Sequence, residues 1–535
     1  MKAARTQAHR RVTAKRIAAV CCLLVISAAS LAWRLHERRP RVWRTEEVPV
    51  AFWSWRAQTP NESDVERAVR ATQARALFVR AGQIDDEAGV LRRVHPVEGK
   101  FPSTLELHLV YNATRSLLSQ FEQVETNELA KVIGEAYVRD VARAAEDGAR
   151  VAGLQLDIDV PTRLLEKYEQ LLRALRPRLP QGAKLSVTGL PTWMESAQLG
   201  AMLRAVDFWI PQCYGATIPE KSSQLVPISS PQTVAQTVAR VRSLERPFYA
   251  GVSAYGYAIL YSPRGNLIEV RGDLDPLRVA NDSNFELVER RPFQGISSGA
   301  TATTSEWRYV YRARGDGATD GLVVHEGDAL MLDVPTAETL RASLRAVREE
   351  AGEKLLGLCL FRLPESGDAT ALTLEQIKSA LADSPALIKT DVRLEVFRSS
   401  QSDESSRAGL RVRAVNTGAA GGQMGDDALT VSVRVPAGSV RGVSELEGFF
   451  SLETLCETQS AAGMSGQDAA RPCSLRRANL LRLRARVWRP GASAEANISF
   501  EGQPQSSAQT LVTVLADDGR AWRREEIITI EPEVK

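Results

Sequence analysis

The chain has 535 residues, more than one ordinary hydrophobic core holds, so we expect two globular units plus additional segments. Its formal net charge is only +3, because 68 basic residues are scattered among 65 acidic ones. This balance lacks the concentrated positive charge of a nucleic-acid-binding surface, so we do not expect nucleic acid as a partner.

The N-terminal segment combines a cationic leader with an apolar run over residues 17–33, and more arginines follow Trp33. The run is slightly shorter than the roughly 20 residues of a spanning helix, yet long for a signal peptide. Small residues at 27–30 would suit cleavage, whereas the arginines after Trp33 are typical of an uncleaved anchor. A buried core helix is the third alternative, which the bare cationic leader disfavours.

Residues 1–45 are therefore predicted to form a cytoplasmic tail and a membrane anchor or signal segment. Either form exports the rest of the chain. We expect the globular part outside the cytoplasm, in the periplasm or at the cell surface, and a secreted protein if the leader is cleaved. The membrane is then a partner through this segment alone.

Short β-rich runs alternate with amphipathic helical stretches from residue 46 to about 383, which is the pattern of parallel βα units. We count eight units, and these predict an α/β fold with a closed (β/α)8, TIM-type barrel. An open doubly wound sheet is the alternative, but it usually has a glycine-rich phosphate loop after its first strand, and none follows Trp55. The predicted strands are 48–55, 75–81, 105–112, 151–159, 184–189, 206–214, 247–253 and 355–361. The predicted helices include 63–71, 128–146, 162–175, 231–243 and 337–350.

A long insertion, about 261–334, separates the seventh predicted strand from its helix, and we expect it to form one wall of a cleft at the barrel rim. Past residue 385 the helical periodicity disappears, and alternating strands separated by Gly, Ser and Asp follow. We therefore predict a barrel domain over 46–383 and a β-sandwich accessory domain over 386–535. The predicted sandwich strands are 392–397, 409–415, 429–435, 480–488, 494–500 and 510–515.

The cysteines allow one disulfide and indicate no metal site. Cys456 and Cys473 bracket a polar loop of the second domain, a placement that favours a disulfide if the domain is exported. Cys213 and Cys359 lie on predicted barrel strands, where buried free thiols are expected. No spacing of His or Cys suggests zinc, and we predict no metal and no other cofactor.

The predicted fourth strand, V-A-G-L-Q-L-D-I-D over 151–159, carries two acids near its C-terminal end. Side chains alternate along a strand, so Gln155, Asp157 and Asp159 share the face that points into the barrel. The Cα atoms of Asp157 and Asp159 should lie about 6.6 Å apart. At this distance the charge of one carboxylate raises the pKa of the other carboxyl. A carboxyl with a raised pKa can serve as the general acid that a glycosidase needs.

Two other interpretations of these acids stay open. They could be a structural pair satisfied by arginine or by backbone N–H groups. A D-x-D pair also occurs in the metal-nucleotide sites of sugar-transfer enzymes, although those lie on a loop after a Rossmann-type half that this chain does not show.

Further polar and aromatic residues lie at the C-terminal ends of the predicted strands, the rim at which barrel enzymes bind substrate. Aromatic rings can stack on the apolar faces of sugars, and amide and hydroxyl groups can hydrogen-bond their hydroxyls. Each of these residues taken alone is better explained by packing, and only their shared placement suggests a glycan cleft. The candidates for substrate binding are Gln155, Gln212, Trp53, Trp55, Asn112, Thr188, Trp193, Tyr255 and Arg362. The catalytic candidates are Asp159, Asp157 and Tyr214.

The fourth strand resembles the D-G-x-D-x-D-x-E strand of glycoside hydrolase family 18, the chitinase-like barrels. Gly153 and Asp157 match that pattern, and Asp159 stands in the place of the final Glu. Tyr214 matches the Tyr of the family's M-x-Y-D motif, with Gln212 in the place of Met. The resemblance implies that Asp159 protonates the glycosidic oxygen, that Asp157 orients a substrate N-acetyl group and that Tyr214 hydrogen-bonds this group.

A closer resemblance is to the bacterial domain of unknown function 3142 family, which is characterised by three ordered strands. Their patterns are L-Q-x-D-x-D, L-S-x-T-x-L-x-x-W and D-x-x-x-x-Q-x-Y, found here at 154–159, 185–193 and 207–214. The resemblance covers about residues 48–260. It implies the barrel fold and leaves the activity open.

The sequence thus favours an exported, glycoside hydrolase-like barrel that acts on a cell-envelope or extracellular polysaccharide, with Asp159 as general acid. The alternative is a non-catalytic glycan-binding or envelope-assembly protein on a degenerate glycosidase barrel. A raised pKa at an intact acid would favour the enzyme, whereas an ion pair from Asp159 to Arg80 or Arg362 would favour the binding protein.

Overall fold

The computed structural model describes residues 43–44, 47–215, 218–224, 226–292, 307–398, 408–457, 470–500, 505–516 and 519–532. The apolar N-terminal run, and with it the predicted membrane anchor or signal segment, lies outside these residues. Within the described part of the chain, no helix is long and apolar enough to span a membrane.

The first half of the chain alternates parallel strands with helices. Strands β1 to β8 are Val50–Ser54, Ala76–Glu87, Val90–Val94, Glu106–Ala113, Arg150–Asp157, Lys184–Gly189, Phe208–Pro211 and Phe248–Ser253. Each of the first seven predicted strands is present. Strand β2 continues past its predicted end and forms an antiparallel hairpin with β3. The hairpin turn lies at Ala88 and Gly89, which both have positive φ, as a two-residue hairpin turn requires.

The predicted insertion follows β8 and is a small antiparallel sheet. Its strands β9 to β15 are Tyr257–Tyr261, Leu267–Arg271, Phe285–Pro292, Trp307–Ala313, Gly317–Thr319, Leu322–Val324 and Ala329–Val334. Five of them pair in the order β10-β9-β15-β12-β11. Inside this sheet, Arg308 and Asp333 form a fully buried ion pair with an Nε to Oδ1 distance of 2.7 Å.

Strand β16 (Leu355–Phe361) closes the barrel by pairing with β8 on one side and with β1 on the other. Because β1 also pairs with β2, the ring runs β1-β2-β4-β5-β6-β7-β8-β16 without an edge. The predicted (β/α)8 barrel is confirmed. Helices α1 to α9 are Glu62–Thr72, Arg115–Gln120, Thr126–Glu146, Leu165–Leu175, Leu199–Met202, Pro231–Ser243, Pro276–Asn281, Ala337–Glu350 and Leu374–Leu381.

The barrel strands separate two apolar layers by the alternation of their side chains. On β2, Leu77 and Val79 pack outward in the large core shared with the helices. Ala76 and Phe78 instead point inward, into an apolar cluster that fills the barrel interior. Cys359 of β16 joins the inner cluster, while Cys213 packs in the outer one, and both are free thiols. The interior is thus packed below the rim, as in other closed barrels.

A glycine on β5 allows close contact with β6. A Cβ added at Gly153 would lie 2.3 Å from the carbonyl oxygen of Lys184, which is backbone and cannot move aside cheaply. We expect Gly153→Ala to lower the free energy of unfolding by about 1–3 kcal/mol, because the two strands must separate. Chemical denaturation would measure the loss. Gly200→Ala is the control, since no atom lies within 4 Å of its added Cβ, and a loss there as large as at Gly153 would contradict the explanation.

The C-terminal region is built of antiparallel strands and resembles a sandwich. Strands β17 to β26 are Thr390–Arg398, Ala408–Asn416, Leu429–Arg434, Val440–Glu447, Ser451–Glu457, Ala470–Pro472, Leu480–Ala485, Ser493–Phe500, Ser507–Leu515 and Ala521–Glu531. Two antiparallel groups share one apolar core and meet where β17 pairs in parallel with β26. All six strands predicted here are present, whereas β20, β21, β22 and β26 were not predicted. Cys456 and Cys473 form a disulfide with Cα atoms 5.8 Å apart.

Candidate active site

An open cleft of about 710 Å³ lies at the C-terminal ends of the barrel strands. Its walls come mainly from β1, β2, β4, β5 and β16 and from the segments that follow them. Asp273 adds a side chain from the insertion, so the insertion contributes to the wall as its position in the sequence predicts. Six of the predicted site residues line the cleft: Trp53, Trp55, Asn112, Asp157, Asp159 and Arg362.

Asp157 ends β5 and is held from both sides. Asn112 on β4 lies opposite it in register and donates a hydrogen bond from its side-chain amide to Asp157 Oδ2. Thr188 on β6 donates its hydroxyl hydrogen to Oδ1. The Asp157 carboxyl is therefore fixed in orientation by its two neighbouring strands.

Asp159 lies two residues further along the same face, where its side chain is accessible from the cleft. It makes no hydrogen bond and no ion pair with any residue that the structure describes. Although exposed to the cleft, its carboxyl is surrounded by enough protein to raise its pKa by desolvation. An acid of this kind can exchange a proton with a bound molecule.

The two carboxyls act on each other. Burial raises the pKa of Asp157, the charge of Asp159 raises it further, and the hydrogen bonds from Thr188 and Asn112 oppose the rise, with a result of about 7. Such a pair shares a proton near neutral pH. The proton belongs to the pair, and Asp159 is the member whose exposed side chain can pass it to a molecule in the cleft.

Replacing Asp157 gives a test of this electrostatic interaction. Because its pKa is higher in the folded protein than the usual 3.8, the folded state binds the proton more tightly, and the wild-type protein loses stability as pH rises from about 4 to about 7. We expect Asp157→Asn to be more stable than the wild type by about 4 kcal/mol above pH 7, and the difference to vanish near pH 4. Thermal unfolding across this range would measure it. A difference independent of pH would contradict the assignment.

Phe361 brings three aromatic rings together at the end of β16. Tyr214 stacks on it with ring centroids 5.9 Å apart, and Tyr255 meets it edge-on at 5.0 Å. Phe361 lines the cleft, whereas neither tyrosine is among the lining residues. Burial raises the pKa of Tyr214 well above its usual value, with the charge of Asp157 contributing, so its hydroxyl stays protonated.

Arg362 is buried in the cleft wall and links two of its loops by hydrogen bonds. Its guanidinium forms two hydrogen bonds to Asp368, at 2.7 and 2.8 Å, and one to the carbonyl oxygen of Gly272 at 2.9 Å. It also lies 5.0 Å from the ring centroid of Trp55, a cation–π contact that holds this exposed tryptophan in the cleft. Neither Arg362 nor Arg80 forms an ion pair with Asp159.

Five predicted substrate-binding residues are not among those that line the cleft: Gln155, Gln212, Thr188, Trp193 and Tyr255. Trp193 is buried in the outer core, where its indole N–H donates to the carbonyl oxygen of Val160 at 2.9 Å, because the segment after β6 turns outward over the helices. Gln155 is fully buried, with its amide 3.5 Å from the hydroxyl of Ser186. Gln212 is half-buried and is held by a backbone hydrogen bond to Gly189. Thr188 is also buried and acts through Asp157.

The sequence analysis missed other residues that line the cleft: Arg56, Gln83, Asp273, Phe361 and Asp368. Arg80 also lines the cleft, although the sequence analysis considered it only as a possible ion-pair partner of Asp159. The alternation on β2 could have placed Arg80, which shares the inward face of Phe78. Phe361 ends a correctly predicted strand. Asp273 and Asp368 lie on loops after β10 and β16, where no periodicity indicates the direction of a side chain.

Comparison with known proteins gave a family match and a set of similar solved structures. The family model described as a domain of unknown function (DUF3142) matches residues 116–293. The predicted resemblance to this family is confirmed. The search of curated proteins gave no match.

Solved structures of chitinase-like barrels are similar to this chain at low identity. The spore cortex-lytic enzyme SleL of Bacillus cereus is 17% identical, with 63% of this chain and 74% of that chain covered and a TM-score of 0.40. A chitinase of Chromobacterium violaceum is 17% identical, covering 63% and 99%, with a TM-score of 0.40. A class V chitinase of Pseudomonas fluorescens is 15% identical, covering 63% and 99%, with a TM-score of 0.37.

Proposed function

We propose that this protein is an exported glycoside hydrolase that acts on a cell-envelope or extracellular polysaccharide, with Asp159 as general acid. The observation that carries the proposal is the carboxyl pair in the open cleft. Asp157 is fixed by two donors, Asp159 is free to meet a ligand, and burial raises the pKa of both. Export and attachment to a membrane rest on the N-terminal sequence alone.

In the proposed reaction, Asp159 donates its proton to the glycosidic oxygen while the bond between this oxygen and C1 breaks. Charged Asp157 stabilises the positive charge that develops on the sugar ring. A water molecule then adds its hydroxyl to C1 and returns a proton to Asp159, so each cleavage consumes one water. If the sugar carries an N-acetyl group, its carbonyl oxygen can form the first bond to C1.

The aromatic residues of the cleft fit a carbohydrate. Trp53 and Trp55 both line it, and Trp55 is 39% exposed, an unusual exposure for so large a ring. The contact with Arg362 limits its movement, which lowers the entropy lost when a sugar stacks on it. Asn112 and Gln83 add amide groups at the same opening. The flat aromatic rings suit the apolar faces of a sugar, and the amides suit its hydroxyl groups.

A glycan-binding protein without catalysis is the second candidate. Its support is the replacement of acids on the family's fourth strand, where Ala152 and the fully buried Gln155 stand at acidic positions. The carboxyl pair weighs against it, because two neighbouring acids of an open cleft with raised pKa values are typical of a catalytic site.

The experiment is the release of new reducing ends from a panel of envelope and extracellular polysaccharides by the full chain, with products identified by mass spectrometry. We expect shortened glycans from at least one polymer. If no polymer is cleaved while the wild type and Asp159→Asn retain glycan equally, the proposal is wrong and the protein is a binding protein.

A further inference from the structure

We propose that the cleft takes an acidic glycan and that Arg80 binds the carboxylate of a charged sugar residue. The inference deepens the proposed function and rests on it, because it names the substrate class of the same cleft. It follows from the position of Arg80, from its lack of a partner and from the charges around it.

Arg80 is directed into the cleft by its strand. It follows Ala76 and Phe78 on the inward face of β2, while Leu77 and Val79 between them pack outward. Its side chain is half-buried and lines the cleft. The guanidinium is therefore partly removed from water and faces the space that a ligand would occupy.

Apart from Asp157 and Asp159, the other charged groups that line the cleft are already paired. Arg362 binds Asp368, and Arg56 lies 3.6 Å from the same carboxyl. Asp273 pairs with Arg271 at 2.8 Å.

Arg80 differs from these groups, because it forms no hydrogen bond and no ion pair within the described part of the chain. Burial lowers its pKa, which reflects the cost of taking its charge out of water. A half-buried guanidinium without a partner is unfavourable, and a bidentate carboxylate is the ligand that matches its geometry.

The position of Arg80 suits a sugar next to the bond that is cleaved. Strand β4 lies between β2 and β5, so the backbones that carry Arg80 and the acids are about 10 Å apart. A short oligosaccharide spans this distance. On either side of Arg80, Trp53 of β1 and Asn112 of β4 also line the cleft.

The charge balance favours a carboxylate over a phosphate. Arg80 supplies one positive charge, and Asp157 and Asp159 lie in the same cleft. A doubly charged phosphate would be repelled more strongly by these acids than a singly charged carboxylate. The substrate class is therefore a polysaccharide of uronic acids or of other sugars that carry a carboxylate.

The test measures binding in the full chain carrying Asp159→Asn, so that glycans stay intact. The probes are oligosaccharides of polygalacturonate, alginate and hyaluronan, each compared with the same glycan after chemical reduction of its carboxyl groups. We expect at least one acidic form to bind about ten- to a hundredfold more tightly than its reduced form. Arg80→Gln should remove this preference, and Arg80→Lys should retain part of it.

Arg92→Gln is the matched control, because Arg92 lies on the neighbouring strand β3, is exposed and pairs with Glu87. It should leave the preference unchanged. The inference is overturned if no acidic form binds more tightly than its reduced form, a comparison that needs no change at Arg80. It is also overturned if a folded Arg80→Gln variant keeps the full preference.

The outcome is separable from that of the proposed function. Selective binding of acidic glycans without any cleavage by the wild type would refute the hydrolase and leave the role of Arg80 standing. Cleavage of neutral glycans alone would support the hydrolase and refute the role of Arg80.

Discussion

Asp159→Asn is expected to lower the rate of glycan hydrolysis by about a hundred- to ten-thousandfold, the contribution of a positioned general acid. Asparagine nearly preserves the shape of the side chain but cannot supply an acidic proton. Glycan affinity should change little, because Asp159 has no described partner whose contact the substitution would break. Separate measurement of kcat and KM for reducing-end release would therefore show a loss confined to kcat.

Asp273→Asn is the matched control for this loss. Asp273 is an acid of the same cleft, but it is paired with Arg271, which lowers its pKa and keeps it charged at neutral pH. We expect it to retain most of the activity. Equal losses in the two variants, or full activity in Asp159→Asn, would show that Asp159 is not the acid.

Asp368→Ala is expected to lower the free energy of unfolding of the barrel by about 3–5 kcal/mol, because it leaves a buried charge without its partner. Arg362 and Asp368 are both almost completely buried. Without the carboxylate, the guanidinium would keep the Gly272 carbonyl and the Thr370 hydroxyl but no opposite charge. Because this guanidinium also contacts Trp55, we expect tryptophan fluorescence to change in the folded state as well.

Chemical denaturation of the full chain would measure this loss, with the barrel transition followed separately from that of the C-terminal region. Asp273→Ala provides the comparison, since its carboxyl is 53% exposed and its ion pair with Arg271 should contribute less than about 1 kcal/mol. If Asp368→Ala were no more destabilising than Asp273→Ala, the ion pair of Arg362 would not be what holds the cleft wall.

Periodicity made the barrel predictable, and helix caps explain why two of its helices begin where they were predicted. The ranges predicted for β6, β16, α6 and α8 agree with the structure at both ends. Both helices begin after a side chain that accepts a backbone N–H, Ser230 from Thr233 and Thr336 from Thr339. Such caps define a helix start locally, before any tertiary contact forms.

The missed elements lack these local signals. The β2–β3 hairpin turns at Ala88-Gly89, which is not one of the dipeptides that mark a two-residue turn in sequence. Strand β26 contains Arg523, Arg524, Glu525 and Glu526 in succession, which interrupts the alternation of apolar and polar residues. It is nevertheless a strand because β25 pairs with it from Ala521 to Thr529.

The residues of the candidate site that lie on strands could be predicted from the sequence, whereas those on loops could not. Strand alternation placed Asp157, Asp159, Asn112 and Trp53 in the cleft, because a residue on a strand has only two directions available. It could not place Trp193, since the direction of that side chain depends on how the segment after β6 packs on the helices. Nor could it find the pairing of Arg362 with Asp368, which is set by a loop.

The pH dependence of kcat/KM for glycan hydrolysis, compared between the wild type and Asp157→Asn, tests most directly whether a protonated carboxyl pair performs the reaction. We predict that the wild-type rate falls as pH rises through about 7, when the pair loses its shared proton. In Asp157→Asn the fall should move to lower pH, because Asp159 no longer has a negative neighbour that helps it to keep the proton. A rate that stays constant above pH 7 in both proteins would contradict the account.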